Sequence, residues 1–191
     1  MKKKIAIDID VLRDWLSALI NVYEKQIGDF SEDIKSLDNI WEYFKFPIYI
    51  ETERETDDPD ITEKVMVEDL KSEWQSNREY FNKFVVDNIL EIFGHARERT
   101  PNGVAYLNKL QNDNPDCEIT LFSVSKNKLI PPTYFFLSKT GCEIKNVKFI
   151  DNILDLNSDD YYKIITYNNS WDDNFENIKI INSIKEIINF T

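Results

Sequence analysis

The sequence predicts an α/β fold, a Rossmann-like parallel sheet with a helical segment inserted after its first strand. Three observations predict it. The chain opens on a short apolar run, Ile5, Ala6, Ile7 and Ile9, which is β-branched, lacks a 3.6-residue period and ends in two aspartates, Asp8 and Asp10. From Thr100 onward, strand-like and helix-like stretches alternate. Between the two, from Trp15 to about Thr100, helical spacing prevails without that alternation.

In order, the first strand is followed by Leu12, Trp15, Leu19, Val22 and Tyr23 at helical spacing, with Gly28 as the expected helix stop. Ser31 to Phe44 carries Ile34, Leu37, Ile40, Trp41 and Phe44, which reads as a second amphipathic helix ended by Pro47. ETERETDDPD, Glu51 to Asp60, is the densest acidic stretch and reads as a solvated loop. Asp60 to Trp74 and Arg78 to Phe93 read as two more helices, the latter stopped by Gly94. Thr100 is the expected cap of the next helix, with Pro101 in its first position. A buried strand, CEITLFS, precedes a helix from Pro131 to Lys139 closed by Gly141. Short strands are expected at Val147 to Ile150, Lys163 to Thr166 and Ile178 to Ile181, and Ser183 caps a last helix to Phe190. The expected division is 1–14 with 100–191 as an α/β core and 15–99 as a helical cap insertion. There is no internal repeat.

Composition narrows the function classes. At 191 residues the chain is long enough for one domain with a modest insertion. Its formal net charge of −12 and the lack of a basic stripe argue against a nucleic-acid surface, because binding phosphate backbones requires clustered Lys and Arg. No apolar run is long enough to span a bilayer. The basic lead MKKK is followed by an apolar stretch broken at Asp8, which does not read as a signal peptide. The expected location is the cytoplasm, or a particle assembled there. Cys117 and Cys142 fit no metal spacing, and a single histidine, His95, leaves no basis for a His-rich metal site or a Ser-His triad. Usage rich in Ile, Asn and Lys is that of AT-rich genomes, many phages among them.

Asp8 and Asp10 frame the functional question. At the C-terminal end of a strand in an open parallel sheet, paired carboxylates border the ligand crevice and can supply a nucleophile and a proton donor, or hold a hard cation. The alternative is an Asp pair that ends a strand and caps the next helix.

The architecture, with Asp8-Ile9-Asp10-Val11-Leu12-Arg13-Asp14 at the end of its first strand, resembles the haloacid dehalogenase-like (HAD) superfamily. The closest resemblance is to its 5′(3′)-deoxyribonucleotidase branch, whose first motif has a glycine after its second aspartate that is missing here after Asp10, while Val11 and Leu12 match the residues that follow it. FGHARERTPNGVAYLNKL also resembles the passage from cap to core in that branch. The resemblance implies Asp8 as the nucleophile that forms an aspartyl-phosphate, and Asp10 as the general acid and base. It implies Ser123, with Ser125 as competitor, as the phosphate-binding hydroxyl. A lysine should offset the phosphate charge, for which Lys126, Lys139 and Lys163 are all in range and Lys139 is carried as the candidate. It implies Mg2+ if the protein is active, with Asp8, Asp10, Asn168 and Asp172 as the metal set.

The fourth motif departs from the family. One or two acidic residues should follow a buried strand, but after KIIT come Tyr167, Asn168, Asn169 and Ser170. Asp172 and Asp173 lie a turn further on, Asp151 follows another strand, and Trp171 occupies the same loop. Loss of a carboxylate weakens Mg2+ binding, and that ion carries much of the charge neutralisation in phosphoryl transfer. The expectation leans away from an enzyme. It favours a HAD-fold protein with an eroded phosphatase site that serves as a structural or interaction subunit, with protein partners in an oligomer or large assembly such as a virion. The alternative is a Mg2+-dependent phosphatase acting on nucleoside monophosphates.

Overall fold

A computed structural model describes residues 3–55, 62–124, 127–167 and 177–187. The chain divides into two compact units, one formed by residues 1–28 with 85–191 and the other by residues 29–84.

The first unit is built on five parallel strands: β1 (Lys3–Asp8), β2 (Cys117–Val124), β3 (Asn146–Ile150), β4 (Lys163–Thr166) and β5 (Ile178–Ile180). Their order is β5-β4-β1-β2-β3, so the chain runs outward from β1 in both directions, and the reversal falls between β1 and β4. That gap, at the C-terminal strand ends, is where open α/β sheets place ligands. Near-continuous apolar sequence in the central strands reflects burial on both sides. Ile5, Ile7, Ile119, Leu121 and Ile165 pack on one side against α3 (Gly103–Asp113) and α4 (Ile130–Thr140). Ala6, Phe122 and Ile164 face the other side, where Ile153, Leu156 and Tyr161 cover them. Among the described residues that cover includes two single 3-10 turns, Ile153–Asp155 and Ser158–Asp160, with the residues that follow each. The mixed α/β class, the parallel sheet and its flanking helices are therefore those expected from sequence, and the fold is Rossmann-like. Among the described residues no helix is long and apolar enough to cross a membrane.

After β1 come a 3-10 turn (Ile9–Val11) and α1 (Trp15–Gln26). Residues Arg13 and Asp14 pair antiparallel with Glu98 and Arg97, and Arg99 N donates to the Leu12 carbonyl at 2.7 Å. The chain thus leaves and re-enters the sheet side by side. The expected cap at Thr100 is displaced: α3 begins at Gly103, with Asn102 in a left-handed conformation (φ 59) as its cap, while Thr100 Oγ1 bonds to Ser183 Oγ at 2.9 Å. Ser183 caps only a 3-10 turn, Ile184–Glu186; residues 188–190 of the expected helix lie outside the described residues.

The second unit differs most from expectation. Ser31–Phe44 is not a helix. Asn39 adopts a left-handed conformation (φ 52), which breaks helical propagation, and only Ile40–Tyr43 forms a 3-10 turn. Phe30 and Phe44 meet at 4.8 Å and Phe44 meets Phe81 at 5.2 Å, so aromatic packing overrides the apolar spacing. Tyr49–Glu55 and Thr62–Glu68 form an antiparallel hairpin where a loop and a helix were expected. Val65 and Val67 recur with period two, and β-branched residues at that period fit a pleat rather than a helix. Residues 56–61 lie outside the described residues. The expected helix at 78–93 is split into α2 (Arg78–Asp87) and a π-helical turn, Leu90–Gly94.

Candidate functional site

Asp8 closes β1 and caps the turn that follows. Its Oδ1 accepts the Asp10 backbone N–H at 3.0 Å. Pairing of Ile7 with Ile165 brings Thr166 level with Asp8, and Thr166 Oγ1 donates to Asp8 Oδ2 at 3.2 Å. The carboxyl is 3% exposed. Burial, reinforced by the Asp10 carboxylate, pushes its pKa up to about 8, against the two hydrogen bonds and the Arg13 charge. That shift favours the protonated carboxyl when no cation is bound.

Asp10 faces a different partner. Arg13, three residues on, is fully buried and directs Nη2 to Asp10 Oδ1 at 2.7 Å and Nε to the same oxygen at 3.1 Å. Its third nitrogen, Nη1, reaches Thr133 Oγ1 on α4 at 3.2 Å, and its guanidinium lies 4.9 Å from the Phe93 ring centroid. A guanidinium held this way satisfies its charge on one carboxylate. A second arginine, Arg99, is carried in by the pairing of residues 97–98 with 13–14. Its Nε donates to the Asp10 carbonyl at 2.9 Å, its Nη2 to the Arg13 carbonyl at 3.1 Å, and its guanidinium stacks 3.6 Å from the Tyr167 ring centroid. Asp14 lies 4.0 Å from Arg99 Nη1 and caps α1 through Ser17 N.

Among the described residues, Ser123, Lys139, Lys163 and Asp151 are not gathered here. Register sets Phe122 beside Asp8, so by strand alternation Ser123 turns to the opposite side of the sheet. Ser123 is buried, and its hydroxyl makes a long bond of 3.4 Å to the Val124 carbonyl. Lys139 lies near the end of α4, with Nζ on the Ala96 carbonyl at 3.0 Å and its pKa lowered by burial. Lys163 opens β4 level with Ile5, three residues before Asp8. Asp151 follows β3, an edge strand two places from β1, and is exposed. Ser125, Lys126, Asn168, Trp171, Asp172 and Asp173 lie outside the described residues.

For Mg2+, the donor set among the described residues does not fit. The Asp10 carboxylate is bound to Arg13, and the Asp10 carbonyl is bound to Arg99. Among the described residues no three His, Cys, Asp or Glu side chains gather as a cation site. Among the described residues the arrangement is a network of two guanidinium groups, Arg13 and Arg99, with the carboxyls of Asp8, Asp10 and Asp14 at the switch point of the sheet. Sequence reasoning found the two aspartates and missed Arg13, Arg99, Thr166 and Tyr167. The signal for Arg13 was its spacing of three from Asp10; nothing local marks Arg99, whose place depends on a pairing across the whole insertion.

No family model matches the chain, and no curated protein matches it.

Proposed function

We propose that this chain is a HAD-like protein whose phosphatase site has eroded and that it serves as an interaction subunit, binding protein partners rather than turning over a phosphate ester. The observation that carries this reading is the buried Arg13 guanidinium, 2.7 Å from Asp10 Oδ1. In a phosphatase of the HAD type the residue at Asp10 must give and take a proton. Here its Oδ1 is already engaged twice by the Arg13 guanidinium, through Nη2 and Nε. The Asp10 carbonyl, bound to Arg99 Nε at 2.9 Å, supports the same conclusion.

A second reading retains the activity. Asp8 stands at the strand end next to the reversal of strand order, where parallel sheets bind ligands. In that reading Asp8 attacks phosphorus on a nucleoside monophosphate, Asp10 protonates the leaving oxygen, and Mg2+ is held with help from Asn168 and Asp172.

Phosphate release decides between them. The wild type and Asp8→Asn are assayed with Mg2+ on deoxynucleoside monophosphates and p-nitrophenyl phosphate. The expected result is the same background rate for both. Turnover by the wild type that disappears in Asp8→Asn would overturn the interaction reading.

A further inference from the structure

A cavity of about 420 Å³ opens on one side of the parallel sheet, toward the N-terminal ends of β1, β2 and β3. Register explains which residues meet there. Lys4 stands beside Glu118 and Ala6 beside Thr120, and Thr120 stands in turn beside Asn146. By strand alternation Lys4, Glu118, Thr120, Asn146 and Lys148 share the side of the sheet that holds Ala6 and Phe122, and all five line the cavity. Tyr162 N donates to the Lys4 carbonyl at 2.8 Å, which sets Asp160 and Tyr161 beside β1 as a further wall. Among the described residues Asp8 is not part of this lining. It lies about 13 Å beyond Lys4 along β1, and the fully buried Phe122 separates it from Lys148 in the register.

Two observations mark the cavity as a binding site. Thr120 is 5% and Tyr161 6% exposed, yet among the described residues neither hydroxyl has a hydrogen-bond partner. Buried hydroxyls are ordinarily bonded, so these two fit a ligand that supplies what the fold does not. The second observation is charge. Lys4, Lys145 and Lys148 line the same space, and among the described residues none of them forms an ion pair, in a chain whose net charge is −12. Lys148 Nζ lies 5.4 Å from the Tyr161 ring centroid, which sets a cation over the ring that carries one of the open hydroxyls. Three lysines and two hydroxyl donors match the charge and the acceptor oxygens of a phosphate monoester better than they match a single carboxylate. The lining also holds two acids. Glu118 Oε1 accepts from Asn146 Nδ2 at 2.9 Å, and Asp160 is exposed. Carboxylates accept hydrogen bonds from hydroxyl groups and repel phosphate, so they suit the rest of a hydroxylated molecule. We propose that this cavity binds a small phosphorylated polyol, with its phosphate on the lysines and the Thr120 and Tyr161 hydroxyls and its own hydroxyls on Glu118 and Asp160. A cavity of this size is in the range of small-molecule sites. No bond in the ligand is broken, so the assignment goes beyond both readings of Asp8 and depends on neither.

The test is calorimetric titration of the full chain with ribose 5-phosphate, inorganic phosphate and ribose, in EDTA so that no Mg2+-dependent turnover contributes. Ribose 5-phosphate is expected to bind about tenfold more tightly than inorganic phosphate, and ribose should not bind. Lys4→Gln/Lys148→Gln should weaken ribose 5-phosphate binding at least about tenfold, whereas Lys185→Gln, an exposed lysine that does not line the cavity, should leave it unchanged. Both lysines of the double variant are exposed, and circular dichroism checks that its fold is kept. Thr120→Val and Tyr161→Phe should each weaken binding about fivefold without lowering the urea midpoint, because neither hydroxyl bonds within the fold. No binding by the wild type, equal binding of inorganic phosphate, or undiminished binding by the double variant would each overturn the proposal. A lowered midpoint with unchanged affinity in both hydroxyl variants would do the same, by giving those groups a structural role. So would binding that Asp8→Asn abolishes, since the ester would then sit at the switch point.

Discussion

The five-stranded sheet and the Tyr49–Glu68 hairpin draw on similar β-branched residues but complete themselves differently. In the sheet, Ile5, Ile7, Ile164 and Ile165 are all fully buried, and even the polar side chains at its edge are bound to one another. In the hairpin, Ile50 and Val67 are paired and exposed, and the strands have no third neighbour among the described residues. The difference teaches where function has room. At the switch point Arg13 and Arg99 engage the carboxylate and the carbonyl of Asp10, whereas the hairpin carries exposed apolar side chains and unbalanced charge.

The comparison breaks first at Arg13. If the switch point is a structural network, Arg13→Ala leaves Asp10 without its cation and Thr133 without its donor. Urea denaturation should then show a loss of about 3 kcal/mol. A change near zero would mean that the network does not hold the sheet edge.

Asp8 sharpens it through pH. Its pKa in the folded protein is raised to about 8, above the unfolded value, so between about pH 4 and pH 8 the folded state holds a proton that the unfolded state has released. The stabilising contribution is complete below the unfolded pKa and is lost as pH rises through that window, by up to about 1.4 kcal/mol per pH unit. Asp8→Asn removes the titration. Its stability relative to wild type should therefore increase from pH 5 to pH 7.5 when both are followed by urea melts. A pH-independent difference would show an ionised Asp8.

The smallest effect belongs to the hairpin. Ile50→Ala trims a side chain that is 43% exposed and lies outside both core clusters, and the midpoint of global unfolding should correspond to a change below about 1 kcal/mol. A loss comparable to that of Arg13→Ala would make the hairpin part of a core.

Legibility in the sequence follows the same division. The parallel strands and α4 were readable because their apolar runs are bounded by clear stops such as Gly141, which adopts φ 70 at the helix end. The hairpin was not, because Val65 and Val67 are too few to separate a period of two from one of 3.6 when charged residues fill the rest. Ser31–Phe44 misled because aromatics gathered by tertiary packing fell at helical spacing by coincidence. At the switch point, Asp8 and Asp10 were legible as a pair, but their chemistry was not. Their protonation and charge depend on Arg13, Thr166 and Arg99, and two of those three come from distant sequence.

The pairing of Arg13–Asp14 with Arg97–Glu98 also bears on how freely this chain can vary. It fastens the two ends of everything from Trp15 to Ala96 at one point beside the sheet, so the intervening segment is a closed loop whose length the five strands do not register. Doubling the length of such a loop costs only about 0.6 kcal/mol of closure entropy. Insertions, deletions and wholesale exchange of the hairpin are therefore cheap for the sheet. The segment carrying the hairpin is the part of the molecule most at liberty to diverge.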